Sequence, residues 1–143
     1  MPRRELAWLL ALTPGGCTTE DVTVLPAVEV HVRTAAGEAV AGARVLIQAE
    51  QQPYGTPLDP LAIAVTDHEG TARFEALSER VTQQLWLMHG VTAYSHEYCV
   101  EHPLHGVDAG RLDRHDALDV VLAGKDRGGV CIREGSRLQI DRP

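Results

Sequence analysis

Hydrophobic and polar residues alternate along the first of several short strand-forming runs in this chain. Residues 28–33 read Val-Glu-Val-His-Val-Arg, and further β-rich runs occur at 43–49, 71–77 and 117–123. A period of two places successive side chains on opposite faces of an extended strand, so such a run predicts a strand with one buried face. Residues that favour turns separate the runs. The pattern predicts an all-β fold, an antiparallel β-sandwich of seven strands within residues 27–124.

The clearest turn signal is the sequence Thr-Asp-His-Glu-Gly at 66–70. Asp67 can fold its carboxylate onto nearby backbone amides, and Gly70 can adopt the left-handed conformation that other residues avoid. Because strand-forming runs lie on both sides, we predict a β-hairpin that joins 61–66 to 71–77.

The remaining segments are assigned from the same signals. Residues 78–84 are expected to form a single helical turn or a linking loop, and 85–94 and 98–101 are expected to be strands. Residues 125–143 are expected to be a C-terminal extension with one or two short strands.

The first 17 residues have the three-part layout of a secretory signal. Two early arginines precede a short apolar stretch at 6–12, and two glycines precede Cys17. The Gly-Gly-Cys17 sequence resembles the bacterial lipobox, which implies lipid attachment at Cys17 and makes 18–26 a tether. The apolar stretch is far shorter than the roughly 20 residues that cross a bilayer as a helix. A signal peptide without lipidation, and a helix at 4–12 packed on the domain, are the alternatives.

The signal predicts where the protein is located. We expect an exported protein, lipid-anchored at the cell membrane or the outer membrane, with its domain facing the periplasm. Thr18 follows the cysteine, and a residue other than aspartate at this position is compatible with sorting to the outer membrane.

The amino-acid composition limits the possible fold classes and the possible partners. The formal net charge is −7, with 20 Asp and Glu against 13 Lys and Arg, and no basic block interrupts the sequence. A nucleic-acid binder needs a basic face, so that class is excluded. Aromatic residues make up only 4% of the chain, so the core must consist mainly of branched aliphatic side chains, which favour strands.

The three cysteines divide into one lipid-bearing residue and one pair. Cys99 and Cys131 would meet in an oxidising envelope, where a bridge between them closes a loop of about thirty residues and stabilises the fold by ~3 kcal/mol in the chain-entropy model. The alternative is two unpaired thiols, with Cys99 acting as a small hydrophobic residue on a strand.

Three stretches resemble the carboxypeptidase-regulatory-like family. They are the alternating valines at 28–32, the sequence Gly-Glu-Ala-Val-Ala-Gly-Ala-Arg-Val at 37–45, and Val-Thr-Asp-His-Glu-Gly-Thr-Ala-Arg-Phe at 65–74. The resemblance implies a seven-stranded, prealbumin-like sandwich that serves as an accessory, adhesive or stabilising module without catalytic residues or cofactors. Its partner would be an envelope protein or a polysaccharide, which the resemblance does not specify.

Two other functions are the alternatives to a binding module. His96, His102 and His105 have side chains that suit zinc or copper, although their spacing favours solvated loop histidines over a metal-handling site. The sequence at 31–37, His-Val-Arg-Thr-Ala-Ala-Gly, is similar to the start of transthyretin-like hydroxyisourate hydrolases. Those enzymes end in a Tyr-Arg-Gly-Ser signature that supplies active-site residues, and the sequence at 135–143 lacks it.

Overall fold

A computed structural model describes seven segments of the chain, which form two compact units. Among the described residues, 17–22 and 79–84 belong to the first unit, and the others belong to the second. The described segments are 17–25, 27–52, 56–57, 61–84, 93–112, 117–134 and 137–143.

The regular elements of the described residues are all β-strands. In chain order they are β1 (Cys17–Leu25), β2 (Val28–Thr34), β3 (Arg44–Gln52), β4 (Thr56–Pro57), β5 (Ala62–Val65), β6 (Thr71–Phe74), β7 (Leu77–Gln84), β8 (Ala93–His102), β9 (Gly106–Arg111), β10 (Ala117–Leu122), β11 (Val130–Glu134) and β12 (Arg137–Asp141).

Strands β1 and β7 pair as a two-stranded sheet. Residues 18–26, expected to be a tether, are therefore largely strand, and so are 78–84, where a helical turn or loop was expected. Both segments contain β-branched threonines and valines, whose stiff side chains favour extended backbone once a partner strand is present. The proposed signal before Cys17 lies outside the described residues.

Two sheets share the main hydrophobic core of the second unit. One has the strand order β10-β2-β6, and the other has the order β4-β3-β8-β9, with β5 also paired to β3. Val30 and Val32 from β2 belong to the same buried cluster as Val45 and Ile47 from β3 and Val100 from β8. Two sheets that enclose one aliphatic core are the arrangement of a β-sandwich.

The pairing between β2 and β10 is parallel, which corrects the expectation of a wholly antiparallel sheet. Leu118 lies opposite Val30 and Val120 lies opposite Val32. Strands β3, β8 and β9 pair in the other sheet before the chain returns to β2. A period of two identifies the buried face of each strand but carries no information about strand direction, so the sequence could not show this.

The turn at Asp67 forms, but it does not close a hairpin. Strand β5 pairs with β3, whereas β6 pairs with β2 in the other sheet. The Gly70 amide donates to the Asp67 carbonyl over 3.0 Å, and the Val32 amide donates to the Gly70 carbonyl over 2.7 Å. The turn therefore carries the chain from one sheet to the other and bonds directly to β2.

A second hydrophobic core lies on the other face of β3. Leu46 and Cys99 pack there with Val107 and with Cys131 and Leu138 from the C-terminal strands. These last two strands, β11 and β12, pair as an antiparallel hairpin. The segment 125–143, expected to be an extension, thus covers a face of the sheet with its hairpin, and residues 45–49 of β3 are buried on both sides.

Candidate binding site beside the disulfide

Cys99 and Cys131 form a disulfide that joins the five-stranded sheet to the C-terminal hairpin. Their Cα atoms are 6.0 Å apart, and both residues are buried in the second core. The pairing predicted from the cysteine count is confirmed. Because Cys99 lies on β8 and Cys131 on β11, the bridge fixes the hairpin to the sheet that it covers.

Two carboxylates hold the hairpin on either side of this bridge. Glu97, Cys99 and Glu101 alternate along β8 and therefore lie on the same face of the strand. A Glu97 carboxylate oxygen accepts a hydrogen bond of 3.3 Å from the Leu138 amide, and Glu101 accepts one from the Cys131 amide. The hairpin is thus attached at three successive positions of one strand face.

Arg44 completes the attachment around Cys131. Its Nε lies 2.5 Å from a Glu101 carboxylate oxygen, and its terminal nitrogen donates to the Cys131 carbonyl over 3.2 Å. The Glu101 carboxylate is largely shielded from solvent. Both polar backbone atoms of Cys131 are therefore bonded to charged side chains, and hydrogen bonds to charged groups are stronger than neutral ones.

A cavity of about 340 Å³ lies between β8, β9 and the hairpin. The charged residues that line it are Glu97 from β8, Arg111 from β9 and Arg137 from β12. Glu97 and Arg111 are register partners across the β8–β9 pair. Because the disulfide and the carboxylates fix the hairpin, one wall of the cavity is held against the sheet.

The neighbouring Tyr98 is tied to Asp108. Its hydroxyl donates to a carboxylate oxygen of Asp108 over 3.1 Å. Burial, together with the negative charge of Asp108, raises the pKa of Tyr98 to about 12. The phenol therefore keeps its proton at neutral pH and continues to donate this bond. A side chain at Gly110 would contact the Tyr98 ring at 3.0–3.2 Å, so glycine leaves room for the tyrosine.

The predicted turn residues make the local contacts expected of them, although the turn connects two sheets instead of closing a hairpin. The Asp67 Oδ1 atom accepts hydrogen bonds from the amides of Glu69 and Thr71 over 2.9 and 3.0 Å. The bond from the Thr71 amide is the main reason why the pKa of Asp67 lies below its usual value of 3.8. Gly70 has a φ of +75°. Both residues build the connection between the sheets.

The histidines proposed as metal ligands do not converge. The rings of His102 and His105 lie 4.7 Å apart at the β8–β9 turn. His96 is buried on the same strand, six residues earlier, which is about 20 Å along an extended backbone. Within the described segments, no group of three or more His, Cys, Asp or Glu residues could hold a metal ion.

His31, the residue behind the hydrolase alternative, is bonded through both ring nitrogens. Nδ1 lies 3.2 Å from the Thr71 hydroxyl, and Nε2 lies 3.1 Å from a Glu29 carboxylate oxygen. Arg73 also bonds to Glu29 over 3.2 Å. Because a neutral imidazole has one donor and one acceptor, this arrangement uses both and ties β2 to β6.

Sequence reasoning missed the residues that attach the hairpin. Glu101 follows Cys99 at a spacing of two on the predicted strand 98–101, so the alternation could have identified it as a neighbour of the bridge. Glu97 was missed because the observed strand begins earlier, at Ala93. Arg44, Arg111 and Arg137 carried no local signal, because their roles depend on pairings between distant strands.

Cys17 begins β1, and its proposed signal precedes the described part of the chain. Among the described residues, no helix has the length and apolar character needed to span a bilayer.

No family model matches this chain, and no curated protein or solved structure is significantly similar to it. The resemblances to carboxypeptidase-regulatory-like domains and to transthyretin-like hydrolases therefore stay predictions from short sequence motifs.

Proposed function

We propose that this protein is an exported, lipid-anchored β-sandwich that serves the cell envelope as a non-catalytic binding or scaffold module. The observation that supports it best is the buried disulfide between Cys99 and Cys131. Disulfides form and persist in oxidising compartments such as the bacterial periplasm and are rare in the cytosol. The bridge is built into the second core, which is expected of a structural disulfide.

The proposal includes a specific fold and anchor. The domain is a prealbumin-like sandwich of the carboxypeptidase-regulatory type, carried by a lipid on Cys17, and its partner is an envelope protein or a polysaccharide. The motifs at 28–32, 37–45 and 65–74 support this fold. The net charge of −7 disfavours nucleic acid as a partner.

The hydrolase and the metal-handling protein are weaker proposals. The Nδ1 atom of His31 already bonds to the Thr71 hydroxyl and Nε2 bonds to Glu29, so a water molecule could be activated at Nδ1 only by displacing Thr71. The pair formed by His102 and His105 supplies two ligands, whereas structural and catalytic zinc sites use three or four protein ligands.

The anchor is tested by comparing the full-length wild-type chain with Cys17→Ser in bacterial cells. We expect the wild type to incorporate labelled palmitate and to separate with the membranes, because a diacylated cysteine anchors stably. Cys17→Ser should incorporate none and should leave the membrane fraction.

Cys99→Ala is the matched control, since it removes a different cysteine, and it should still incorporate palmitate. A wild-type chain that is recovered unlabelled from the cytosol would refute the proposal.

A further inference from the structure

The cavity beside the C-terminal hairpin has the dimensions of a site for a small ligand. Its volume is about 340 Å³, at the lower end of the range of roughly 300–1,000 Å³ that is typical of ligand pockets. Gln139 and Ala109 line it together with the charged residues described above. The walls come from three strands, β8, β9 and β12.

Two arginines that line this cavity have no side-chain partner among the described residues. Arg111 and Arg137 are exposed, and within the ranges that the structure describes neither forms an ion pair or a side-chain hydrogen bond. By contrast, Arg44 and Arg142 both pair with carboxylates. In a chain with a net charge of −7, two unpaired cations on one cavity are available to an anion from outside.

Glu97, a carboxylate residue that lines the cavity, bonds to the hairpin backbone and forms no ion pair with these arginines in the described part of the chain. Glu97 lies opposite Arg111 in the β8–β9 register, yet its Oε2 atom accepts from the Leu138 amide over 3.3 Å. A carboxylate has two oxygens with about four acceptor positions. Glu97 therefore keeps acceptor capacity for hydroxyl groups of a ligand, while the arginines supply donors in a planar fork that matches a carboxylate.

We propose that this cavity binds a small hydroxylated carboxylate, such as a uronate, whose carboxylate pairs with Arg111 and Arg137 and whose hydroxyls donate to Glu97. Gln139 adds an amide that both donates and accepts at the cavity wall. The inference rests on the proposed function as a binding module and names the class of its ligand.

The test is a titration of the isotope-labelled full chain, followed by amide chemical shifts. Glucuronate should shift the amides of Arg111 and Leu138 with a dissociation constant on the order of 1 mM, as is typical of a ligand with so few atoms. Glucose lacks the carboxylate and cyclohexanecarboxylate lacks the hydroxyls, so each should bind about tenfold more weakly or worse. Inorganic phosphate should also bind more weakly.

Arg111→Gln and Arg137→Gln should each weaken glucuronate binding by about tenfold, because each removes a charge-assisted bond. Arg33→Gln is the matched control: Arg33 is an exposed arginine on β2, away from the cavity, and its loss should leave binding unchanged. Unshifted thermal unfolding will show that each variant is folded.

Three results would overturn the inference: no shifts at the cavity, equal binding of phosphate or cyclohexanecarboxylate, or full affinity in both arginine variants. None of them affects lipid attachment at Cys17. If the chain is anchored in the envelope but does not bind glucuronate, the proposed function stands and only the proposed ligand is refuted.

Discussion

Gly70→Ala is expected to destabilise the fold by about 3 kcal/mol or more. A Cβ atom at this position would lie 2.5 Å from the Val32 carbonyl oxygen and 3.1 Å from the Val40 amide nitrogen. These two groups bond to each other, and the Val32 amide bonds to Gly70. The methyl group would therefore disturb both of these backbone hydrogen bonds of Val32. Positive φ adds strain for alanine, and each effect costs roughly 1–3 kcal/mol.

Gly37→Ala is the matched control for this substitution. Gly37 has a φ of +85°, but a Cβ there would contact nothing within 4 Å. Its substitution should cost only the backbone strain, about 1–2 kcal/mol. Urea denaturation of the two variants separates the steric effect from the backbone strain. Equal losses in the free energy of unfolding would show that the backbone of Val32 does not constrain Gly70.

Loss of the disulfide is expected to have the largest effect on the C-terminal hairpin. Cys99 and Cys131 are 32 residues apart in sequence, so the bridge contributes about 3–4 kcal/mol by limiting the unfolded chain. We expect a chain that carries Cys99→Ala and Cys131→Ala to lose about this amount. The expected result is a lower urea midpoint with a steeper slope, because the unfolded chain without the bridge is less compact and exposes more surface.

The double variant is compared with a chain that keeps the Cys99–Cys131 pair. Both chains also carry Cys17→Ser, so that they do not differ in lipid attachment or in a third thiol. Dithiothreitol should lower the midpoint of the chain with the intact pair toward that of the double variant and should leave the double variant unchanged. Identical midpoints without reductant would mean that the bridge does not stabilise the folded state.

Local patterns predicted the elements better than their pairing. The alternation at 28–33 identified the buried valines of β2, since Val28, Val30 and Val32 are all in the core. The Asp67 and Gly70 signals identified a turn with the expected hydrogen bonds. Which strands the turn would join depended on distant segments, because β5 finds its partner in β3 and β6 finds its partner in β2.

The β3 strand shows why the second core was not foreseen. Residues 45–49 are buried without alternation, a pattern that fits a strand covered on both faces and does not say what covers it. The covering element is the hairpin at 130–141, whose own sequence is short and largely polar. In the sequence, only the cysteine count links the sheet that contains β3 to the hairpin at 130–141.

The disulfide was the one feature of the candidate site that the sequence predicted. The pairing of Cys99 with Cys131 was predicted from the count of three cysteines together with the predicted export signal. The arginines of the cavity come from β9 and β12, which are separate in sequence and line one cavity because the hairpin packs on the sheet. Their proximity is a product of tertiary packing.

The oxidation state of Cys99 and Cys131 in intact cells tests the central claim most directly. Free thiols in cells that produce the full-length chain are blocked with N-ethylmaleimide. The protein is then denatured, reduced and labelled with iodoacetamide, and its peptides are weighed by mass spectrometry. The account predicts that both cysteines carry only the second label, because the bridge forms in an oxidising compartment. The first label on both cysteines would contradict it.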